Sequence, residues 1–330
     1  YVGSINKNLN IVGEVKLPHK TFEGGLLMCG ITGLVLGRKA RSEADFDAIK
    51  FSFIDSLIAA ESRGVDASGI FIINEGGEHY FYRAPVRATK LSGMSGFWNV
   101  LDKVSESTIA IVGHTRAATT GDPIVVDNNH PIYDPPLVGV HNGVIRNHMD
   151  LREKYGAVAD VDSATILSML NSKLSDSQTL TRSIIAKTMP EAKGAWAIAI
   201  ADTRKDTLYL ARNSGSPMQL TCQKRDRLLW FASTESILEP ISSKKVKSIS
   251  MTANTVMALT RRHAESGELK KIGIKAPLMS MAKGLHSSKA KNDVVASYIS
   301  PQSYARQWKY PQFFDDGATT AAILKNRKEN

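Results

Sequence analysis

Apolar runs with β-branched character recur along the chain at residues 31–36, 70–74, 79–83, 108–113, 137–141, 195–202, 207–211 and 228–232, and each predicts a buried strand. Two stretches carry a helical period instead. Ser42, with Asp45 three residues on, precedes a segment in which Ile49, Phe53 and Leu57 recur at i, i+4 and i+8. Asp162 precedes another, marked by Ile166, Leu170 and Leu174. Each predicts a helix with one apolar face. Strands stand on both sides of these helices without the regular βαβ alternation of a parallel sheet. The expected fold class is therefore α+β: two mainly antiparallel sheets packed face to face with helices outside, a four-layer αββα sandwich.

Composition bounds this picture without changing it. At 330 residues, 42% hydrophobic and 22% charged, the chain can bury one large core or two modest ones. No run approaches the ~18 consecutive apolar residues of a membrane span, and residues 1–27 lack a compact apolar segment ahead of a small-residue cleavage site. The expected location is cytoplasmic, with no membrane partner. Two cysteines, Cys29 and Cys222, are too few for a disulfide framework. No His/Cys/Asp cluster has ligand spacing, so neither a metal nor a cofactor is expected.

Charge raises one further class and then weakens it. A net charge of +10 brings in a polyanion as a partner. Much of that excess falls in residues 266–330, where eleven basic residues face five acidic ones among Ser, Lys, Gln, Pro and scattered aromatics such as Tyr298, Tyr304 and Trp308. With no sustained period, this stretch reads as a solvated tail or a segment that orders on a partner, and nucleic acid is not the expected one. The expected organisation is a leader at 1–28, a structured domain at 29–265 and a basic tail at 266–330.

Candidate chemistry starts at Met28-Cys29-Gly30-Ile31, a thiol after a removable methionine at the head of an apolar strand. If Cys29 opens the mature chain, its thiol and α-amine share one carbon, and the amine, titrating near ~7.7 to 8.0, can take the thiol proton. A buried small cysteine in a strand is the alternative. In Asn142-Gly143 the side-chain amide and a close-approaching backbone N–H suit an oxyanion, while Asn-Gly is equally a hairpin turn. Arg116 can fork onto a carboxylate, and Asp162 can take an ammonium or cap a helix. Arg63 and Asp66 fit a substrate site or a structural ion pair, and a lone His130 fits a pocket or a satisfied core position.

Taken in order, these residues resemble the class II glutamine amidotransferases, the glutaminase domains with an amino-terminal nucleophile. The resemblance runs over about residues 29–257. It passes through Cys29-Gly30-Ile31, Arg63-Gly64-Val65-Asp66-Ala67-Ser68-Gly69, Gly113-His114-Thr115-Arg116-Ala117-Ala118-Thr119, Asn129-His130-Pro131, His141-Asn142-Gly143, Asp162-Ser163, Gly194-Ala195-Trp196 and Arg212-Asn213-Ser214-Gly215-Ser216-Pro217. The spelling around Arg63 and Arg116 is closest to the sugar-phosphate synthase branch. The resemblance implies the fold of N-terminal-nucleophile hydrolases and a glutaminase that forms a Cys29 thioester, with Asn142 and Gly143 as the oxyanion hole. It further implies an L-glutamine pocket drawn from Arg63, Arg116, Thr119, His130, Gly143 and Asp162. Ala117 departs from the pattern, standing where that branch usually has Trp, which implies looser closure over the substrate.

Nothing after Glu265 resembles a sugar isomerase or a phosphoribosyltransferase. The expectation is therefore a free-standing glutaminase that passes ammonia to a synthase or other acceptor-domain partner through its tail, with homo-oligomerisation left open. If the leader stays attached, Cys29 has an amide in place of an amine, and the alternative is a non-catalytic glutamine-binding or scaffold module.

Overall fold

The computed structural model describes residues 28–267, so most of the expected leader and all but the first residues of the expected tail lie outside the described residues. The strands are β1 (Gly30–Leu36), β2 (Ala67–Asn74), β3 (His79–Ala84), β4 (Thr108–Arg116), β5 (Ile132–Asp134), β6 (Leu137–Ile145), β7 (Gly194–Asp202), β8 (Leu208–Arg212), β9 (Gln219–Gln223), β10 (Leu228–Ala232), β11 (Ile249–Ser250) and β12 (Thr255–Leu259). The helices are α1 (Glu43–Ala59), α2 (Ala88–Leu91), α3 (Ser95–Leu101), α4 (His148–Tyr155), α5 (Asp162–Asn171), α6 (Arg182–Thr188), α7 (Glu235–Leu238) and α8 (Arg261–Ser266). Seven strands form one sheet in the order β11-β9-β10-β1-β4-β2-β3, and five form a second in the order β12-β8-β7-β6-β5, with every pairing antiparallel.

The strands read as continuous apolar runs because both faces of each sheet are covered. In β2, Ile70 and Ile72 pack outward under α1 and α3, while Phe71 and Ile73 point into the layer between the sheets. In β10, Trp230 faces the helices and Phe231 the interior. Val35, Val112, Val140 and Leu210 complete that interior from both sheets. Outside the five-stranded sheet, Ile166, Leu170 and Ile185 from α5 and α6 cover Trp196, Ile198 and Tyr209. The result is the expected αββα sandwich.

Helix α1 begins as expected: Ser42 accepts from the Asp45 N–H and the Asp45 carboxylate returns to the Ser42 N–H, and Ile49, Phe53 and Leu57 are buried. Helix α5 departs from the expected single apolar face. Residues 162–170 are buried all round, because the helix packs on β5 and β6 with α4 and α6 against its sides. It ends at Asn171, so Leu174 lies beyond it.

Candidate functional site

β1 and β4 pair so that Gly30 lies opposite Thr115, which brings the head of the first strand beside the end of the Arg116 strand. Close approach here requires glycine. A Cβ on Gly30 would sit 2.6 Å from the Thr115 hydroxyl and 2.9 Å from the Ala60 carbonyl. Cys29 is consequently held in a tight corner, 9% exposed. Its thiol points at the Ala117 carbonyl (3.5 Å), and its own carbonyl accepts from Arg63 Nε (2.9 Å). Burial pushes the thiol pKa up to about 11; the Asp162 charge adds to this, while the Ala117 contact, Arg116 and Arg63 oppose it.

The Arg116 guanidinium is buried and organises the loop that follows its strand. It donates to Asn129 Oδ1 (2.6 Å), to the Gly121 carbonyl (2.8 Å) and to the Thr120 carbonyl. Asp66 accepts from the Ala118 N–H (2.8 Å), pinning the other end of the same turn. Arg63 and Asp66 thus hold separate backbone atoms rather than each other. Ala117 acts through its carbonyl, a contact any residue at that position could offer. Thr119 lies exposed in a bend, and its neighbour Thr120 is the one that bonds Asp162 (3.2 Å).

Asn142 and Gly143 are not a turn. They lie inside β6, opposite Ala197 and Trp196 of β7. Gly143 has φ +128°, and a Cβ there would overlap the Ala195 carbonyl, so this position within an unbroken ladder is fixed as glycine. Asn142 is buried, and its Nδ2 donates to Ser233 Oγ (2.6 Å). Asp162 does not cap α5 with its side chain: it is the first helical residue, and its carboxylate accepts from the Ile145 N–H (2.8 Å) at the end of β6. The carboxylate of the α5 start is thereby drawn to the Asn142-Gly143 strand.

Three buried histidines surround these residues. His114 Nε2–H donates to the His141 carbonyl (3.0 Å), which leaves Nδ1 as the unprotonated nitrogen, without a partner. Burial lowers its pKa to about 3. His130 follows Asn129 through to a cis bond with Pro131 and packs on His114 with ring centroids 4.0 Å apart. Neither of its ring nitrogens has a partner, and burial drives its pKa well below the ordinary 6.5. His141 bonds Ser163 Oγ through Nδ1 (2.8 Å), and burial lowers its pKa too. All three are neutral rings near pH 7, none of them poised as a base.

The structure therefore gathers Cys29, Arg63, Arg116, His130, Asn142, Gly143 and Asp162 at one end of the sandwich and leaves Thr119 at its rim. Sequence reasoning missed Ser233, which links Asn142 to β1, and Asn129, the acceptor that orients Arg116. Asn129 was visible within Asn129-His130-Pro131. Nothing local marks Ser233, whose neighbours read as a helix start. Among the described residues no group of three His, Cys, Asp or Glu side chains is arranged to hold a metal.

Two antiparallel sheets layered between helices, with a cysteine just before the first strand, have the fold of the N-terminal-nucleophile hydrolases. Its structural neighbours agree. The fold overlays on a glutamine phosphoribosylpyrophosphate amidotransferase from B. subtilis, complexed with ADP and GMP, at TM-score 0.53 and 17% identity, covering 70% of this chain and 47% of that one. A structure described as the allosteric regulatory enzyme of purine biosynthesis gives TM-score 0.52 at 18% identity, with 70% and 47% covered.

Sequence narrows the class. Residues 114–240 match the family described as "Glutamine amidotransferase domain". The glutamine–fructose-6-phosphate aminotransferase (isomerizing) of Escherichia coli K12 is 28% identical over 225 residues, 66% of this chain and 33% of that protein. The enzyme of the same name from Oceanobacillus iheyensis is 32% identical over 199 residues, 58% of this chain and 30% of that protein. Over residues 114–240 the chain carries a glutamine amidotransferase domain. It spans about a third of the length of the curated relatives it matches.

Proposed function

We propose that this domain hydrolyses the side-chain amide of L-glutamine through a thioester on Cys29. The sulfur adds to the carboxamide carbon, and the carbonyl oxygen becomes an oxyanion that the Asn142 side chain and the Gly143 backbone N–H stabilise. Collapse of the adduct expels ammonia, which leaves with the proton taken from the thiol. Water then cleaves the thioester to glutamate and restores the thiol. A thiol pushed up to about 11 is almost fully protonated at neutral pH, so the step requires a base. Burial lowers the proton affinity of the three histidines and makes them weak bases, so the role falls to the α-amine of Cys29. That nitrogen is an amide while residue 28 is joined to it.

Arg116 takes the α-carboxylate of glutamine and Asp162 its α-ammonium, with Arg63 positioning the Cys29 backbone and His130 lining the pocket as a neutral ring. Thr119, at the rim, closes over the bound amino acid. The observation that carries this reading is the single strut Ile31–Ser233–Asn142, which sets the amide donor two residues from the nucleophile. The ammonia passes to an acceptor, a sugar phosphate or similar compound, held on a partner or a further domain; the basic segment 266–330 is the proposed contact. The named activity of the E. coli K12 relative, which this chain matches over 33% of its length, supports that division.

Two preparations test the proposal: a chain beginning at Cys29 and one that keeps the residues before it, each checked by intact mass. Release of glutamate and ammonia by the first and not the second is the expected result. Glutamine consumption by the chain whose preceding residues remain attached would overturn the amine as base.

A further inference from the structure

The interior between the two sheets is apolar along most of its length, through Val35, Phe71, Val112, Val140, Leu210 and Phe231. At the Cys29 end two hydrogen bonds cross it. One is His114 to the His141 carbonyl; the other joins Ser233 to Asn142. Ser233 is wholly buried and follows β10, so its backbone N–H donates to the Ile31 carbonyl (2.9 Å) as though the strand continued. Its hydroxyl oxygen accepts from the Ile31 N–H (2.8 Å) and from Asn142 Nδ2 (2.6 Å), and its own hydrogen is directed to the Ile31 carbonyl (3.4 Å).

These bonds determine which way the Asn142 amide faces. With the Ser233 hydrogen on the side of the Ile31 carbonyl, a lone pair of its oxygen faces Asn142, which presents its NH2 and not its carbonyl. One of the two Nδ2 hydrogens is consumed in that contact. The plane of the amide then fixes the direction of the second. Asn142 Oδ1 is buried without a hydrogen-bond partner, and the His114 ring is the neighbouring polar group that competes with Ser233 for the amide.

We propose that Ser233 is a positioning residue for the oxyanion hole: its hydroxyl orients the Asn142 side-chain amide and ties it to the Cys29 strand. This rests on the glutaminase reading above. Because Ser233 acts through Asn142 and does not touch substrate, its removal lowers kcat while glutamine affinity is kept, and the loss disappears once Asn142 is gone.

The experiment is a double-mutant cycle on the chain beginning at Cys29, with wild type, Ser233→Ala, Asn142→Ala and the double variant assayed for glutamate release. Ser233→Ala is expected to lower kcat by about 10- to 100-fold with KM for glutamine within about twofold, a loss of the size that follows misplacement of a catalytic group. In the Asn142→Ala background it is expected to cost less than about twofold. Equal losses in both backgrounds, or an unchanged kcat in Ser233→Ala, would overturn the proposal while leaving the glutaminase reading intact; wild type that releases no glutamate overturns both. Should Ser233→Ala fail to fold by thermal melting, Ser233→Cys decides the matter, since it keeps the shape with a poorer acceptor. Its kcat is expected to fall only where Asn142 is present, and a background-independent loss would refute the orienting role.

Discussion

The two cysteines of this chain titrate alike and sit in opposite settings. Cys29 and Cys222 are both raised to about 11, and burial is the leading cause for each. Around Cys222, near the end of β9, only Lys224 opposes that shift, and the half-buried side chain packs against the inter-sheet core. Around Cys29 stand two guanidiniums, a carboxylate, a carbonyl acceptor and the Asn142 strand. Acidity does not separate the two thiols. What distinguishes a nucleophile is a surrounding set of groups placed for charge that develops during reaction, together with a base that can reach it.

That contrast can be broken most directly by deletion. Cys29→Ala is expected to abolish glutamine turnover while retaining glutamine binding by calorimetry, and Cys222→Ala is expected to leave turnover within about twofold. Asn142→Ala should lower kcat by about 100-fold with a modest change in KM, measured by glutamate release, because one oxyanion donor is lost. Arg116→Lys comes next. A lysine cannot span Asn129 Oδ1 and the Thr120 and Gly121 carbonyls as the guanidinium does, so KM is expected to rise about tenfold with kcat less affected.

The smallest effect concerns pH, and it sharpens the comparison because buried histidines flank only one of the thiols. His114, lowered from 6.5 to about 3, is neutral in the folded chain while the unfolded chain protonates first. Folding stability is therefore fully present above about pH 6.5 and is lost on acidification toward about pH 3, on the order of 1.4 kcal/mol per pH unit for this residue. His130 and His141 act in the same direction. Melting temperature followed from pH 7 to 4 should fall, and His114→Gln should flatten that fall. The two thiols, with raised pKa values, contribute oppositely: their share is present below the unfolded value of 9.0 and is lost as pH rises toward about 11.

Most of the sandwich was legible in the chain because covered sheet faces leave uninterrupted apolar runs, and eight of the strands stand where such runs occur. The reading stopped short at the site. β4 runs on to Arg116 and β6 to Ile145, beyond the apolar runs that ended at 113 and 141, because His114, Arg116, Asn142 and Gly143 occupy the ends of those strands and break the pattern. Asn142-Gly143 carried a strong local turn signal, and nine-residue pairing with β7 overrides it. β9 mixes Gln with apolar residues and β11 is two residues long, so neither makes a run. Short helices such as α2 and α7 are held by packing on the seven-stranded sheet rather than by a period of their own. Ser233 lies 202 residues from its partner Ile31, a separation that no local pattern encodes.

The polar ties across the inter-sheet layer have a mechanical corollary. A greasy interface lets sheets slide or splay at small cost, whereas a buried hydrogen bond broken without replacement is expensive, and such bonds stand at both ends of this layer: His114 and Ser233 beside Cys29, and His79 with the Tyr133 hydroxyl (3.3 Å) at the far end. Enlarging or shrinking a side chain at Leu210 or Met257 would then be absorbed where it falls, the two layers staying fastened like a book stitched along both margins.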